Sequence, residues 1–378
     1  MKFVHLSDLH LGKTVNEFSM IEDQEYILDQ ILEEIDRIRP EGVIIAGDVY
    51  DKPVPSVEAV RLFDDFLYGL ADPSRQIFII SGNHDSAQRM AFGARLIGRS
   101  GIHLSPVFSG RPDPIRLEDD YGPVNIYLLP FIKPAHVRPF YPEENPETYE
   151  EALRLVLSDL ALNTEERNVL VAHQFVTGAS RSDSEQGAVG GLDNVDGTLF
   201  DGFDYVALGH IHRPQSMGRP GLRYCGSPLK YSLSEAGHEK SISLVDLGVK
   251  GNLNVETISL KPLRDMRAIK GTYRELMSKS FYDRMNTEDY LHITLTDEDE
   301  PFEVISRLRK VYPRVMQVDF CNSRTRNRQE PVLDELTVKQ DPLSLFADFY
   351  RMQNGRDLSE KQENYLKKQI EEIWEDEE

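Results

Sequence analysis

At 378 residues the chain exceeds the usual single-domain size, so two or three domains are expected. Apolar content of 40% and charged content of 28% are ordinary for a soluble globular protein, and no apolar run approaches a membrane span. The 43 basic and 64 acidic residues leave a net charge of −21, which argues against a general-purpose nucleic-acid surface because phosphate binding is mostly electrostatic.

In chain order, Phe3 to Leu6 reads as a buried strand that runs into Asp8-Leu-His10. Leu28, Ile31, Leu32, Ile35 and Ile38 then fall at helical spacing before Pro40. Val43 to Ala46 is a second strand, ending at Gly47-Asp48, and Ala59, Leu62, Phe63, Phe66, Leu67 and Leu70 mark a second helix. Ile77 to Ile80 leads into Gly82-Asn83-His84-Asp85, and Val169 to Ala172 into His173. A long, Gly-rich polar loop follows from Gln174 to Phe200, a length that usually carries function. Tyr205 to Leu208 delivers Gly209-His210-Ile-His212; Ser241 to Leu247 and Leu253 to Leu260 read as strands joined by a Gly248-Val-Lys-Gly251 turn.

Lys261-Pro262-Leu263 marks an exit. Beyond it Leu291 to Leu295, Pro301 to Val311 and Met316 to Phe320 spell strand, helix, strand, a small α+β unit. Its helix and following loop carry Arg307, Arg309, Lys310, Arg314, Arg324, Arg326 and Arg328, the most basic stretch in an acidic chain. From about residue 331 a polar linker leads to two helical segments, one marked by Leu345, Phe346, Phe349 and Met352 and one by Leu366, Ile370 and Ile373 after a capping box at Ser359-Glu-Lys-Gln362. The expected division is therefore 1–262, 263–330 and 331–378.

Five strands that each deliver polar residues at their carboxyl ends describe an α/β site, where loops converge above a sheet. Side chains two apart on an extended chain share a face, so Asp8 with His10, and His210 with His212, are each expected to grip one metal region. Asp, Asn and His without Cys suit hard or borderline divalent metals, manganese above all. Asp8, His10, Asp48, Asn83, His173, His210 and His212 are too many for one ion and enough for two, about 3.5–4 Å apart. Only Cys225 and Cys321 occur, far apart, which is no disulfide framework and fits a reducing compartment. With no signal peptide in view, a cytoplasmic enzyme is expected.

The ordered blocks D-x-H, GD, GNH, H and GH-x-H resemble the calcineurin-like metallophosphoesterase superfamily. The flanking residues His5-Leu-Ser-Asp-Leu-His-Leu-Gly12, Gly47 to Ser56, Ser182-Asp-Ser-Glu185, Val189-Gly-Gly191 and Tyr224 to Tyr231 are similar to the bacterial SbcD family of nucleases. That resemblance implies a four-layer α-β-β-α sandwich with a small α+β cap and a C-terminal helical segment. It implies Asp8, His10 and His212 on one metal ion, Asn83, His173 and His210 on the other, and Asp48 bridging both. His84 is the candidate general acid, with Asp85 aligning it. It further implies 3′→5′ exonuclease and endonuclease action on DNA ends and hairpins, an SbcC-type ATPase bound by the C-terminal helices, and a homodimer through the nuclease domain near Ala87 to Ile97. Another metallophosphoesterase, a phosphodiesterase or a protein phosphatase, is the rival; protein phosphatases of the superfamily carry an arginine motif after the GD block, where this chain has Tyr50-Asp-Lys-Pro53. His5, His103, His136, His238 and His292 lack ligand neighbours and are expected to be structural or exposed. Lys230 and Tyr231 are candidates either for phosphate contacts or for packing.

Overall fold

A computed structural model describes residues 1–185, 193–299, 301–322, 343, 346, 347, 349–351 and 357–375. The chain forms two compact units, Met1–Asn322 and Ser323–Glu378.

Two six-stranded sheets dominate the first unit. One runs in the order Leu253–Ser259, Ser241–Leu247, Lys2–Leu6, Gly42–Ala46, Gln76–Ile80, Ile102–Ser105. The other runs Gln215–Ser216, Leu222–Tyr224, Tyr205–Gly209, Arg167–His173, Gly122–Leu129, Ile115–Asp119. The central strands of both are parallel and buried on two faces, which is why they read as unbroken apolar runs and not as alternating ones. Alternation still sorts their side chains. Phe3, Ile44, Ala46, Phe78 and Ile80 meet Val169, Val171, Tyr205 and Ala207 between the sheets. Val4, Val43, Ile45, Ile77 and Ile79 point outward onto the helices Ile21–Ile38 and Val57–Leu70. On the far side Leu170, Ala172, Val206 and Leu208 pack under the helix Tyr149–Asp159, whose start is fixed by a Thr148–Glu151 capping box. The expected α-β-β-α layering is present.

Arg167 ties the two sheets together. Its buried guanidinium donates to the carbonyls of Leu247 and Gly248 at 3.2 and 3.0 Å and to both carboxylate oxygens of Asp119. Those bonds from Arg167 hold the Asp119 carboxyl well below the usual carboxylate range. A depressed folded-state pKa contributes stability that is complete above the unfolded value near 4 and is lost as the pH falls below it. Asp119→Asn leaves the buried cation without its partner, so it is expected to lower the unfolding free energy by about 3 kcal/mol at pH 7. Urea titrations at about pH 7 and pH 3 check this: the difference between the two proteins should shrink at the lower pH.

A third sheet, Met266–Gly271, Tyr290–Leu295 and Val315–Phe320, is wholly parallel and has its own core of Leu276, Leu291, Ile293, Leu295, Leu308, Tyr312 and Val315. The helix expected over 301–311 is confined to Val304–Leu308, because Glu303 enters it in a left-handed conformation (φ 51°) without a side-chain cap. This sheet is bonded to the sandwich: Tyr290 donates its hydroxyl to the buried Asp23 at 2.8 Å, and Arg264 pairs with the same carboxylate at 2.9 Å. Lys230 reaches Asp265 at 2.8 Å.

In the second unit the helix Glu360–Glu375 begins where Gln362 accepts from both the backbone N–H and the hydroxyl of Ser359, at 3.0 and 2.8 Å. Phe346 and Phe349 are exposed, their rings 6.4 Å apart. Leu345, Met352, Arg324, Arg326, Arg328 and Val189-Gly-Gly191 lie outside the described residues. Among the described residues no helix is long and apolar enough to cross a membrane.

Candidate metal centre

All seven expected ligands meet at the carboxyl ends of the two facing sheets. The expectation from strand alternation is corrected: Asp8 and His10 do share one corner, but His210 and His212 face opposite ones, and the chain at Asp8, His10 and His210 is not extended. Asp8 and His10 lie beyond their strand with φ of 54° and 44°, Asp48 has 51° and His210 101°. Four ligands thus sit at left-handed positions, a conformation that Asp and His tolerate better than branched residues but that still costs energy. The loops are turned back over the sheet edge, and backbone bonds hold them there: Asp8 N–H donates to Gly47 O and His10 N–H to Asp48 O, each at 3.0 Å. Two glycines admit the crowding. A Cβ on Gly209 would fall 1.9 Å from Ala46 O, and one on Gly82 would fall 2.2 Å from the Asp48 carboxylate.

One corner contains Asp8, His10 and His212, whose ligand atoms lie within 4.8 Å of one another. The Nε2 atoms of His10 and His212 are 3.0 Å apart. Two nitrogens each about 2.1 Å from a common cation, at right angles, would sit about 3 Å apart. Asp8 accepts from the Ser7 hydroxyl and, through its other oxygen, from His210 N–H at 2.9 Å. The opposite corner holds Asn83 Oδ1, 3.0 Å from His173 Nε2 and 2.8 Å from His210 Nδ1. His173 is oriented through its other nitrogen, which donates to Ala46 O at 2.8 Å. Asp48 lies between, with Oδ2 3.3 Å from His173 Nε2 and 3.7 Å from His10 Nε2.

The electrostatics are those of a cation site. Burial opposes ionisation of Asp48, yet His173, His10 and His84 around it hold its carboxyl far below the usual range. Burial likewise opposes charge on His173, but Asp48 outweighs it and pushes its pKa up to about 9. Desolvation, with His173 next, drives His210 down to about 3. Among the described residues, buried His10 Nδ1 has no hydrogen-bond partner. An all-oxygen-and-nitrogen donor set with two imidazole nitrogens facing one another at 3.0 Å fits divalent metal ions.

His84 stands at the mouth, half-buried, its ring edge-on to His10 at 4.8 Å. Its backbone N–H donates to Asp48 Oδ1 at 2.8 Å. The expectation that Asp85 aligns His84 is corrected. Both Asp85 oxygens are taken by backbone N–H groups: Oδ2 by Val49 and Gly82 at 3.1 and 2.9 Å, Oδ1 by Tyr50 at 2.9 Å. Asp85 therefore pins the Asp48 loop to the Asn83 loop, while His84 Nδ1 faces the carbonyl of Asp51 at 3.1 Å.

Several neighbours went unassigned in the sequence. Asp51 approaches His10 Nδ1 at 3.6 Å and pairs with Lys13 at 2.6 Å. Ser184, Glu185, Glu235 and Lys240 surround His212. The Ser182-Asp-Ser-Glu185 string was visible, but nothing in it says which strand it will meet. Tyr231 and Lys230 resolve toward packing. Tyr231 is buried and donates to Leu9 O; Lys230 is taken by Ala236 O and Asp265. Structural too is His5, buried against the Tyr205 hydroxyl at 2.8 Å.

Residues 1–214 match the family described as calcineurin-like phosphoesterase, and residues 262–354 match a type 5 capsule protein repressor C-terminal domain. The SbcD subunit of the SbcCD nuclease from Staphylococcus epidermidis is 31% identical over 374 residues, 97% of this chain and 97% of that protein. A crystal structure of a dimetal phosphatase from Danio rerio shares 12% identity and covers 70% of this chain and 98% of that one, at a TM-score of 0.42 too distant to carry weight. With the ligand blocks in order, the layering intact and the relationship running the length of both chains, this chain belongs to the calcineurin-like phosphoesterases, metal-dependent hydrolases of phosphoester bonds, and within them to the SbcD family of nuclease subunits.

Proposed function

We propose that the chain is a manganese-dependent DNA nuclease, the cleaving half of a two-protein complex, which cuts phosphodiester bonds by 3′→5′ exonuclease and endonuclease action at double-strand ends and hairpins. The observation that carries the reading is the two-cornered cluster: Asp8, His10 and His212 on one side, Asn83, His173 and His210 on the other, with Asp48 within 3.7 Å of a histidine from each. The 31% identical relative is a nuclease by name, which supports DNA over a phosphoprotein as substrate.

Two divalent cations in such a centre supply a water of lowered pKa, charge neutralisation and a clamp on the attacking and leaving oxygens. The chain's residues do the rest. Asp8, His10 and His212 would hold one ion and Asn83, His173 and His210 the other, with Asp48, whose Oδ2 faces a histidine of each set, between them. Asp85 and the backbone bonds fix the loops so that no ligand must move during the reaction. His84 gives a proton to the departing sugar oxygen. Digestion of end-labelled duplex and hairpin DNA with Mn2+, with and without an SbcC-type ATPase, tests the reading. Shortening of 3′ ends and opening of hairpins is expected; release of phosphate from a phosphopeptide with intact DNA would overturn it.

In this reading 1–262 is the nuclease domain, 263–330 the cap and 331–378 the docking segment for the ATPase, in a cytoplasmic homodimer. The contact between copies is the face carrying Phe92 and Leu96, 90% and 75% exposed in and beside the short helices Ala87–Met90 and Ala94–Ile97. An exposed apolar pair of that size suits burial against a second copy. The tail is read from Phe346, Phe349 and the helix Glu360–Glu375, an amphipathic element suited to the base of a coiled coil. Removing the residues after about Lys339 should leave Mn2+-dependent cleavage within about twofold and abolish capture of the ATPase. Full-affinity capture by the truncated chain would sink the docking role.

A further inference from the structure

We propose that Ser184 and Glu235 are positioning residues that fix the tautomer of His212, and so set the affinity of the Asp8–His10–His212 corner for a divalent cation. The inference rests on the reading of that corner as a metal subsite.

Ser184 Oγ lies 2.8 Å from His212 Nδ1 and also bonds Glu235 Oε1. A hydroxyl has one proton, and a carboxylate only accepts, so that proton goes to Glu235. The contact with His212 must then run the other way, with Nδ1–H donating to Oγ. Glu235 Oε1 is itself 3.4 Å from Nδ1 and reinforces the same direction. Glu235 is fully buried and is paired there with Lys240, whose Nζ lies 2.6 Å from Oε2. The two remaining ammonium protons are used at 2.8 Å by Ser227 Oγ and by the carbonyl of His212. The backbone of His212 is clasped as well, its N–H donating to Glu185 Oε1 at 2.6 Å.

With the proton held at Nδ1, the lone pair is at Nε2, the nitrogen facing His10 Nε2 at 3.0 Å. Without the Ser184 hydroxyl the proton can move to Nε2, and an imidazole protonated there cannot bind a cation through it. Outer partners of metal-binding histidines typically set affinity by about 10–100-fold. Among the described residues nothing comparable links Ser184 or Glu235 to the Asn83–His173–His210 corner, where His173 is oriented by Ala46 O.

The test uses the full chain, Mn2+ alone and no DNA. Calorimetric titration of Ser184→Ala should show one of two binding steps weakened about 10–100-fold and the other within about twofold. Ser184→Thr, which keeps the hydroxyl, should restore it. Histidine 15N spectra of the metal-free protein should show Nδ1 of His212 protonated in the unaltered chain and a mixture of tautomers in Ser184→Ala. Should Ser184→Ala fail to fold, Glu235→Gln, which keeps the shape and removes the charge, is expected to weaken the same step. Unchanged affinities, equal weakening of both steps, or an unchanged tautomer would overturn the proposal. A protein that binds Mn2+ in two steps yet leaves DNA intact fails the nuclease reading and not this one; an unaltered chain that binds no Mn2+ overturns both.

Discussion

Asp48→Ala is expected to remove both metal ions and to lower DNA cleavage by roughly 10³-fold or more, since the centre supplies both nucleophile and charge neutralisation. The carboxylate is within reach of both corners, 3.7 Å from His10 Nε2 and 3.3 Å from His173 Nε2. Its charge is the counterpart of the buried histidines, which hold it ionised against desolvation. Asp48→Asn separates charge from shape: the remaining oxygen can still accept the His84 N–H, so the loop keeps its fold while the bridge loses its anion. Both variants should therefore bind Mn2+ poorly, as read by metal analysis after gel filtration, with unfolding midpoints close to each other. Two Mn2+ retained per chain in Asp48→Ala would sink the bridging assignment.

The strands that build this centre were legible because they are buried on both faces and so continuous in apolar residues. The ligands were legible because hydrophilic side chains stand at their ends. Less legible was the third sheet's first strand, Met266–Gly271, which carries Arg267 and Lys270 and buries only Met266 fully, so no apolar run announces it. The strands Ile102–Ser105 and Ile115–Asp119 close the outer edges of the two sheets and have no fully buried residue, and they escaped for the same reason. The left-handed turns at Asp8, His10, Asp48 and His210 could not be read at all. Spacing suggested an extended chain with two side chains on one face, whereas bonds to a neighbouring loop fold each ligand back. Long-range pairing likewise hid the partners of His212. Ser184 and Glu235 stand 28 and 23 residues away in sequence, and only the packing of the loop after Val176 against the turn Leu233–Glu235 brings them to one ring.

His84→Ala is expected to keep both Mn2+ ions and the fold while slowing cleavage by about 10²–10⁴-fold, the span associated with loss of a positioned general acid. Its geometry differs from that of every assigned ligand. Nδ1 is occupied by the carbonyl of Asp51, which accepts at 3.1 Å, so Nδ1 carries its hydrogen and Nε2 is the nitrogen that exchanges a proton. The ring is half-buried, at the mouth of a centre whose other histidines are fully enclosed. Yet His84 also forms a triad with His10 and Asp48 close enough to hold an ion. The two roles part cleanly in experiment. An acid contributes nothing to cation binding, so the variant's Mn2+ isotherm should overlay that of the unaltered chain, and a substrate whose leaving group needs no proton, such as a nitrophenyl phosphodiester, should be cleaved at nearly the original rate. If one ion is lost, His84 is a ligand; if cleavage of DNA is close to normal, it is neither. The acid role also gives Asp51 and Asp85 separate jobs: Asp51 holds the ring by its carbonyl, and Asp85 holds the two loops on which ring and bridge are carried.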